Sequence, residues 1–253
     1  MLGLQRAAGR LAIDLLISAG VDYQYRPHNQ NGAWPVPVDG AEAVHVPVGP
    51  WNCSALLMVG TPPSPEQAEY LRTVRQSGTP VIYTYSYLGT PRVVTDDARG
   101  IHRLIDFLVD HGHRRIAFLA GYQFPKSDHM ARYRAFCDRM AYHGLEVDPR
   151  LVMWDATKVD TAKHAFSELL QTRRDFTGVV AHSGEAAEGA LQALQDAGVA
   201  VPSEMELVSY DGYPWFRSQS VEIPSIDARI PEVAERALEL LAGELGWTDH
   251  DKP

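Results

Sequence analysis

The sequence predicts an α/β protein built from two doubly wound parallel-sheet lobes, the first of them incomplete, and three observations carry that prediction. From residue 54 onward short apolar runs alternate with amphipathic helical segments, the mark of repeated β-α-β units. These units outnumber what one open sheet usually holds, which favours two sheets joined by right-handed crossovers. The chain has 253 residues, 45% apolar and 22% charged, enough for two lobes on one chain.

The elements follow in order. Leu4, Ala7, Ala8, Leu11, Ala12, Leu15 and Leu16 predict an amphipathic helix stopped at Gly20. Val21–Arg26 reads as a strand, and residues 27–53 are rich in Pro, Gly and Trp without a helical period. Within them residues 44–48 alternate like an edge strand, where proline is tolerated. Ala55–Gly60 is a buried strand; Ser64 as N-cap, Pro65 in the first turn and Gln67 in a capping box then open a helix with Tyr70, Leu71 and Val74 inward and Gly78 at its end. Pro80–Tyr87 is a strand with Tyr83, Tyr85 and Tyr87 on one face. The cycle repeats: helix on Ile101, Leu104, Ile105 and Leu108, stop at Gly112, strand Ile116–Ala120. Met130, Tyr133, Cys137, Met140 and Ala141 form the next stripe, up to Gly144, then Ala162, Ala165, Phe166, Leu169 and Leu170. Gly178–Ala181 is a strand, Ala187, Ala190, Leu191 and Leu194 a helix ended by Gly198, Glu206–Tyr210 a strand, and a last helix runs from about Pro231 to Leu245.

Composition excludes several classes. No apolar run approaches the ~20 residues of a bilayer span, and MLGLQRAAGR lacks the basic stretch and apolar core of a secretory signal. Lys and Arg total 23 against 32 Asp and Glu, a formal charge of −9, which argues against nucleic acid as a partner of this chain by itself. Cys53 and Cys137 have no metal-ligand spacing and build no disulfide framework, in keeping with a reducing cytoplasm. No phosphate loop or dinucleotide fingerprint is present, so no cofactor is expected.

At residues 93–121 the reading becomes specific. VVTDDARGIHRLIDFLVDHGHRRIAFLAG resembles the central signature of LacI/GalR-type transcription regulators. SDHMARYRAF (127–136) resembles the family's Ser…Arg-x-x-Gly-Phe segment, with Arg132 in the arginine place and Ala135 in that of glycine. GVVAHSGEAAEGALQALQDAGVAVPSEMELVSYDG (178–212) resembles the segment with an Asn-Asp pair, a helix, Val-Pro and a strand ending in Tyr/Phe-Asp, and IPSIDARIPEVAERALELL (223–241) the closing strand and helix. The resemblance implies a periplasmic-binding-protein-like fold: residues 1–87 with 225–253 in one lobe, 88–224 in the other, closing on a small ligand. It implies a homodimer, and DNA contact only through a helix-turn-helix headpiece absent from this chain. The family's first strand, before the helix at 4–18, and its last, after the final helix, have no counterpart. Residues 40–48 are the candidate for the first gap.

Open α/β sheets bind ligands outside the carboxyl ends of their strands. The implied ligand-binding residues are Thr84, Asp97, Ser127, Arg132, Ser183, Asp211 and Trp215. A guanidinium with one or two carboxylates offers a polyol both donors and acceptors, and Trp215, Phe216 or Tyr83 offers a face to stack on. Each also has a plainer reading: Arg132 on a solvated helix, Asp211 capping a turn, Asp97 as an N-cap, Trp215 packing a hinge. Ser183 and Gly184 replace the family's Asn-Asp pair, which removes a carboxylate, and Thr84 stands near an acid of some sugar-responsive members. On this reading Arg132→Ala abolishes ligand-induced stabilisation and leaves the fold intact. A nucleophile elbow at Ser183 is disfavoured because Ala181 and Glu185 occupy its glycine places and His182 is expected to point away. His102, His111 and His113 are read as helix and strand termini, not metal ligands. The expected function is a cytoplasmic sensor of a small polar ligand, sugar-like by preference, serving a transcription regulator. The rival readings are a solute-binding or partner-regulating module without a transcriptional role and, further off, an enzyme using Ser183.

Overall fold

The protein is described here by a computed structural model covering residues 2–10, 13–15, 49–60, 65–86, 89–125, 127–212 and 221–247. The expected strands at 21–26 and 44–48, the caps at Ser64 and Gln67, and Tyr87, Trp215 and Phe216 lie outside the described residues or side chains. The chain forms two compact units, Met1–Val94 with Arg229–Pro253, and Thr95–Ala228. Among the described residues no helix is long and apolar enough to cross a membrane.

In the first unit β1 (Leu56–Val59), β2 (Val81–Thr84) and β3 (Arg92–Val93) form a parallel sheet in that order. Leu56, Val81 and Tyr83 meet Leu71 and Val74 of α2 (Pro65–Gln76) on one face. On the other, Leu57 and Ile82 meet α7 (Ile230–Glu244), against which Ala8 of α1 (Leu2–Arg10) packs through Leu238. Two expectations are corrected. The first helix ends at Arg10, where Ile13 N–H donates to the Ala8 carbonyl at 2.9 Å, a five-residue span typical of helix termini; residues 13–15 are not helical. The tyrosine alternation of β2 stops at Thr84, because Tyr85 has φ +54, outside strand geometry.

The second unit holds a five-stranded parallel sheet, ordered β5 (Val152–Met153), β4 (Ile116–Leu119), β6 (Gly178–Ala181), β7 (Glu206–Tyr210), β8 (Ser225–Ile226). Its two faces are visible in the alternation of side chains. Ala117, Leu119, Val179, Ala181 and Leu207 pack against α5 (Val159–Thr172) and α6 (Gly184–Asp196). Ile116, Phe118, Val180, Val208 and Tyr210 pack against α3 (Asp97–Asp110) and α4 (Asp128–Tyr142). Asp96 is the N-cap of α3, accepting from Arg99 N–H at 3.0 Å; this frees Asp97, expected as the cap, to turn inward. The buried face of α4 is Arg132, Ala135, Phe136 and Met140. The expected stripe differs because hydropathy alone passes over a buried arginine.

Asp106 on α3 ties the two helices of this face together. It accepts from Arg139 at 2.6 and 2.7 Å and lies 2.7 Å from His143 Nε2. The Arg139 hydrogen bond, helped by His143, outweighs burial and holds the carboxyl below its usual pKa. A depressed carboxylate pKa stabilises the fold above the unfolded value of about 3.9 and ceases to do so as pH falls through the folded value. Asp106→Asn is therefore expected to cost roughly 1 kcal/mol at pH 7, discounted for partial exposure, and the difference from wild type to shrink towards pH 2. Urea denaturation across that range checks it.

Candidate ligand site

The parallel register places Ala120, His182 and Asp211 just beyond the carboxyl ends of β4, β6 and β7. Arg132, one turn into α4, reaches this end of the sheet and is 4% exposed. Its Nε donates to Asp97 Oδ1 at 3.0 Å and its Nη1 to the His182 carbonyl at 2.8 Å. Asp128 Oδ2 stands 3.3 Å from Nη2 and Asp211 Oδ2 3.7 Å from Nη1. The guanidinium also lies 4.0 Å from the centre of the Tyr210 ring, a cation–π arrangement. Burial works against the charge, but Asp211, Asp128 and Asp97 together raise the Arg132 pKa and hold it ionised. Burial pushes the Asp211 carboxyl above its usual pKa, against the pull of Arg132, and Asp128, Asp97 and Asp227 push the same way.

Two histidines complete the cluster. His129 Nδ1 accepts from Tyr122 N–H at 2.9 Å, and its ring stacks on Tyr122 with centroids 5.7 Å apart. His182 is 2% exposed, with Nε2 3.2 Å from the Ala156 carbonyl and its ring centroid 4.8 Å from that of His129. Burial, then the charges of His129 and Arg132, hold the His182 pKa well below the usual value. The native ring refuses a proton that the unfolded chain accepts near pH 6.5, so stability falls as pH drops below that point. His182→Gln is expected to lose less stability than wild type between pH 7.5 and 5.5 in urea denaturation.

Of the expected site residues, Asp97, Arg132 and Asp211 are brought together. Ser127 and Ser183 are N-caps: Ser127 Oγ accepts from Met130 N–H and donates to the Phe124 carbonyl at 2.7 Å, and Ser183 Oγ accepts from Ala186 N–H at 3.3 Å. Thr84 belongs to the first unit, where its hydroxyl donates to the Met58 carbonyl at 3.2 Å. Trp215 lies outside the described residues. His182 does not point away from Ser183: Nε2 stands 3.5 Å from Oγ, although Ala156 and the helix cap already engage both groups. His111 and His113 do converge, on Glu206, at 2.9 and 2.8 Å, with Thr177 Oγ1 2.7 Å from His113 Nδ1. Among the described residues no group of three or more His, Cys, Asp or Glu is disposed to hold a metal. Sequence reasoning missed Asp128, His129 and Tyr210; Asp128 was within reach, being four residues before Arg132 on one helix.

A family model described as a periplasmic binding protein-like domain matches residues 105–253. The chain belongs to this family. Members of the LacI/GalR group are its relatives, as the motifs imply. The HTH-type transcriptional regulator GalR of Salmonella typhimurium is 31% identical over 155 residues, 60% of this chain and 45% of that protein. Catabolite control protein A of Priestia megaterium is 25% identical over 177 residues, 68% of this chain and 53% of that protein. The chain thus spans about half the length of these relatives. The fold is also that of a sugar-binding LacI-family regulator from Escherichia coli complexed with phosphate (TM-score 0.69, 21% identity, 79% of this chain and 72% of that one). A LacI-family regulator from Lactobacillus casei with bound sucrose is similar too (TM-score 0.67, 22% identity, 77% of this chain and 72% of that one). The five-stranded parallel sheet of the second unit lies within the residues that the family model matches.

Proposed function

We propose that this chain is the small-molecule sensing part of a LacI/GalR-like transcription regulator and not an enzyme. Its ligand is a sugar or a closely related polar metabolite, contacted in the second unit by Arg132 and Asp211. One observation supports this above the others: a buried guanidinium bridging Asp97, Asp128 and Asp211 at the carboxyl ends of parallel strands, where open α/β sheets take their ligands. Such a group of fixed donors and acceptors suits a polyol's hydroxyls. Ligand acts by its differential affinity for alternative arrangements of the protein. A cytoplasmic homodimer passes that difference on, and DNA is contacted through a helix-turn-helix headpiece.

The test is a thermal-shift titration with D-galactose, D-glucose, sucrose and cellobiose. At least one is expected to raise the melting temperature, saturation at a hundred times Kd being worth about 2.7 kcal/mol. Asp211→Asn is expected to lose most of that gain; asparagine keeps the volume and tolerates the left-handed backbone at 211, φ +69. No shift with any of the four contradicts the proposal.

A further inference from the structure

The loop that leaves β4 is held by a histidine ring. Tyr122 N–H donates to His129 Nδ1 at 2.9 Å, linking the segment beyond β4 to the first turn of α4. The same ring stacks on that of Tyr122, with centroids 5.7 Å apart and planes 15° from parallel. Thr157, beyond β5, donates its hydroxyl to the Tyr122 hydroxyl at 3.0 Å and fixes the far end of that side chain. Gly121 makes the seat. A Cβ there would fall on His129 Nδ1 and stand 2.7 Å from Cε1, so the ring lies where only a glycine leaves room.

This arrangement admits one protonation state. An imidazole nitrogen that accepts a hydrogen bond carries no proton, so His129 is neutral with its hydrogen on Nε2. A second proton has to enter at Nδ1, where it meets the Tyr122 N–H donor to donor, and the bond is lost. Among the described residues the groups facing the ring are Asp128 and Arg132 on α4, Asp97 on α3 and His182 beyond β6. Burial is the largest influence and lowers the His129 pKa; Asp128 raises it, Arg132 lowers it and Asp97 raises it, and the balance falls below the usual value. Asp128 Oδ1 lies 3.7 Å from Nε2, and the His182 ring, itself held neutral, has its centroid 4.8 Å from that of His129. The His129 side chain is 22% exposed, so the ring borders solvent and gains its proton by turning outward.

We infer that His129 and Tyr122 form a proton-operated latch: neutral His129 ties the 121–125 loop to α4, and protonation in mild acid releases it. The latch stands at the carboxyl end of β4, the end of the sheet that the proposed ligand site uses, so acid acts beside that site. The inference does not depend on the sugar-sensing reading, since the latch works without ligand. In the released ring the pKa returns to about 6.5, so release is favoured by a factor near one at pH 7.5 and about thirtyfold at pH 5.

The test is amide hydrogen exchange by NMR on the whole chain without ligand, at pH 7.5, 6 and 5, each rate referred to that of an unstructured peptide at the same pH. The Tyr122 protection factor is expected to fall by up to about thirtyfold across this range in the wild type. His129→Asn keeps an acceptor oxygen in the place of Nδ1 and has nothing to titrate there, so its Tyr122 protection is expected to stay flat. His182 is present in both proteins, and the difference between them belongs to His129. Gly121→Ala evicts the ring and is expected to leave Tyr122 unprotected already at pH 7.5; where that variant does not fold, the His129→Asn comparison decides alone. Wild-type protection that changes by less than about twofold between pH 7.5 and 5, or that falls as steeply in His129→Asn, overturns the inference. So does Tyr122 protection that survives in a folded Gly121→Ala, or a His129 ring that nitrogen NMR shows with its hydrogen on Nδ1 at pH 7.5.

Discussion

Arg132→Ala is expected to destabilise the protein by about 3–5 kcal/mol, because it strips the cation from a buried cluster and leaves Asp97, Asp128 and Asp211 facing one another. The Tyr210 face and the His182 carbonyl lose their partner with it. This corrects the expectation drawn from sequence that the fold would survive the change intact: a 4% exposed guanidinium is part of the core as much as of the site. Arg132→Met is expected to fare little better, since shape without charge leaves the same carboxylates uncompensated. Arg132→Ala with Asp97→Asn is expected to recover part of the loss, because one of the stranded charges goes too. Equilibrium urea denaturation gives all three values, and an Arg132→Ala cost under about 1 kcal/mol would place the arginine outside the core.

Gly189→Ala is the second large effect, and its sign is the informative part. In an ordinary helix interior alanine is worth about 1 kcal/mol more than glycine. Gly189 lies where α6 crosses α5, and a Cβ there would press on the Val159 carbonyl, 2.7 Å from Lys163 N and 2.8 Å from Ala162 Cβ. Two of these neighbours are backbone and cannot rotate aside, so the helices must separate. Overpacking of this kind costs about 1–3 kcal/mol, and the net effect is expected to be destabilising despite the gain in propensity. A stabilised Gly189→Ala would mean that α5 and α6 are not in such close contact.

The fold was legible where burial is complete. Every residue of β4, β6 and β7 is buried, and β4 (IAFL) and β6 (GVVA) accordingly appear as unbroken runs without a polar side chain, while β7 (ELVSY) carries Glu206 and Ser209 among its apolar residues. The two-residue strand β5 has no such run and was not anticipated. Helix faces were legible where the inward residues are apolar, as on α6 and on α3 beyond its first residue, the buried Asp97, and misread on α4, whose inward face contains Arg132. The same arginine shows why the site was only partly readable. Its place came from the motif at 127–136, but its partners come from α3, α4, β6 and β7, and no spacing within one segment shows that Asp97 and Tyr210 meet it. Ser127 and Ser183 carry the opposite lesson, since a serine ahead of a helix fits a site and a cap equally, and the structure engages both as caps.

The central claim is that the Arg132 cluster is where a sugar is held. A crystal structure of the protein with the sugar that most raises its melting temperature tests this directly. Sugar hydroxyl groups within about 2.6–3.2 Å of the Asp211 carboxylate, over an intact Arg132–Asp97 pair, are the predicted result. A sugar bound elsewhere, with Asp211 and Arg132 untouched by it, would contradict the account.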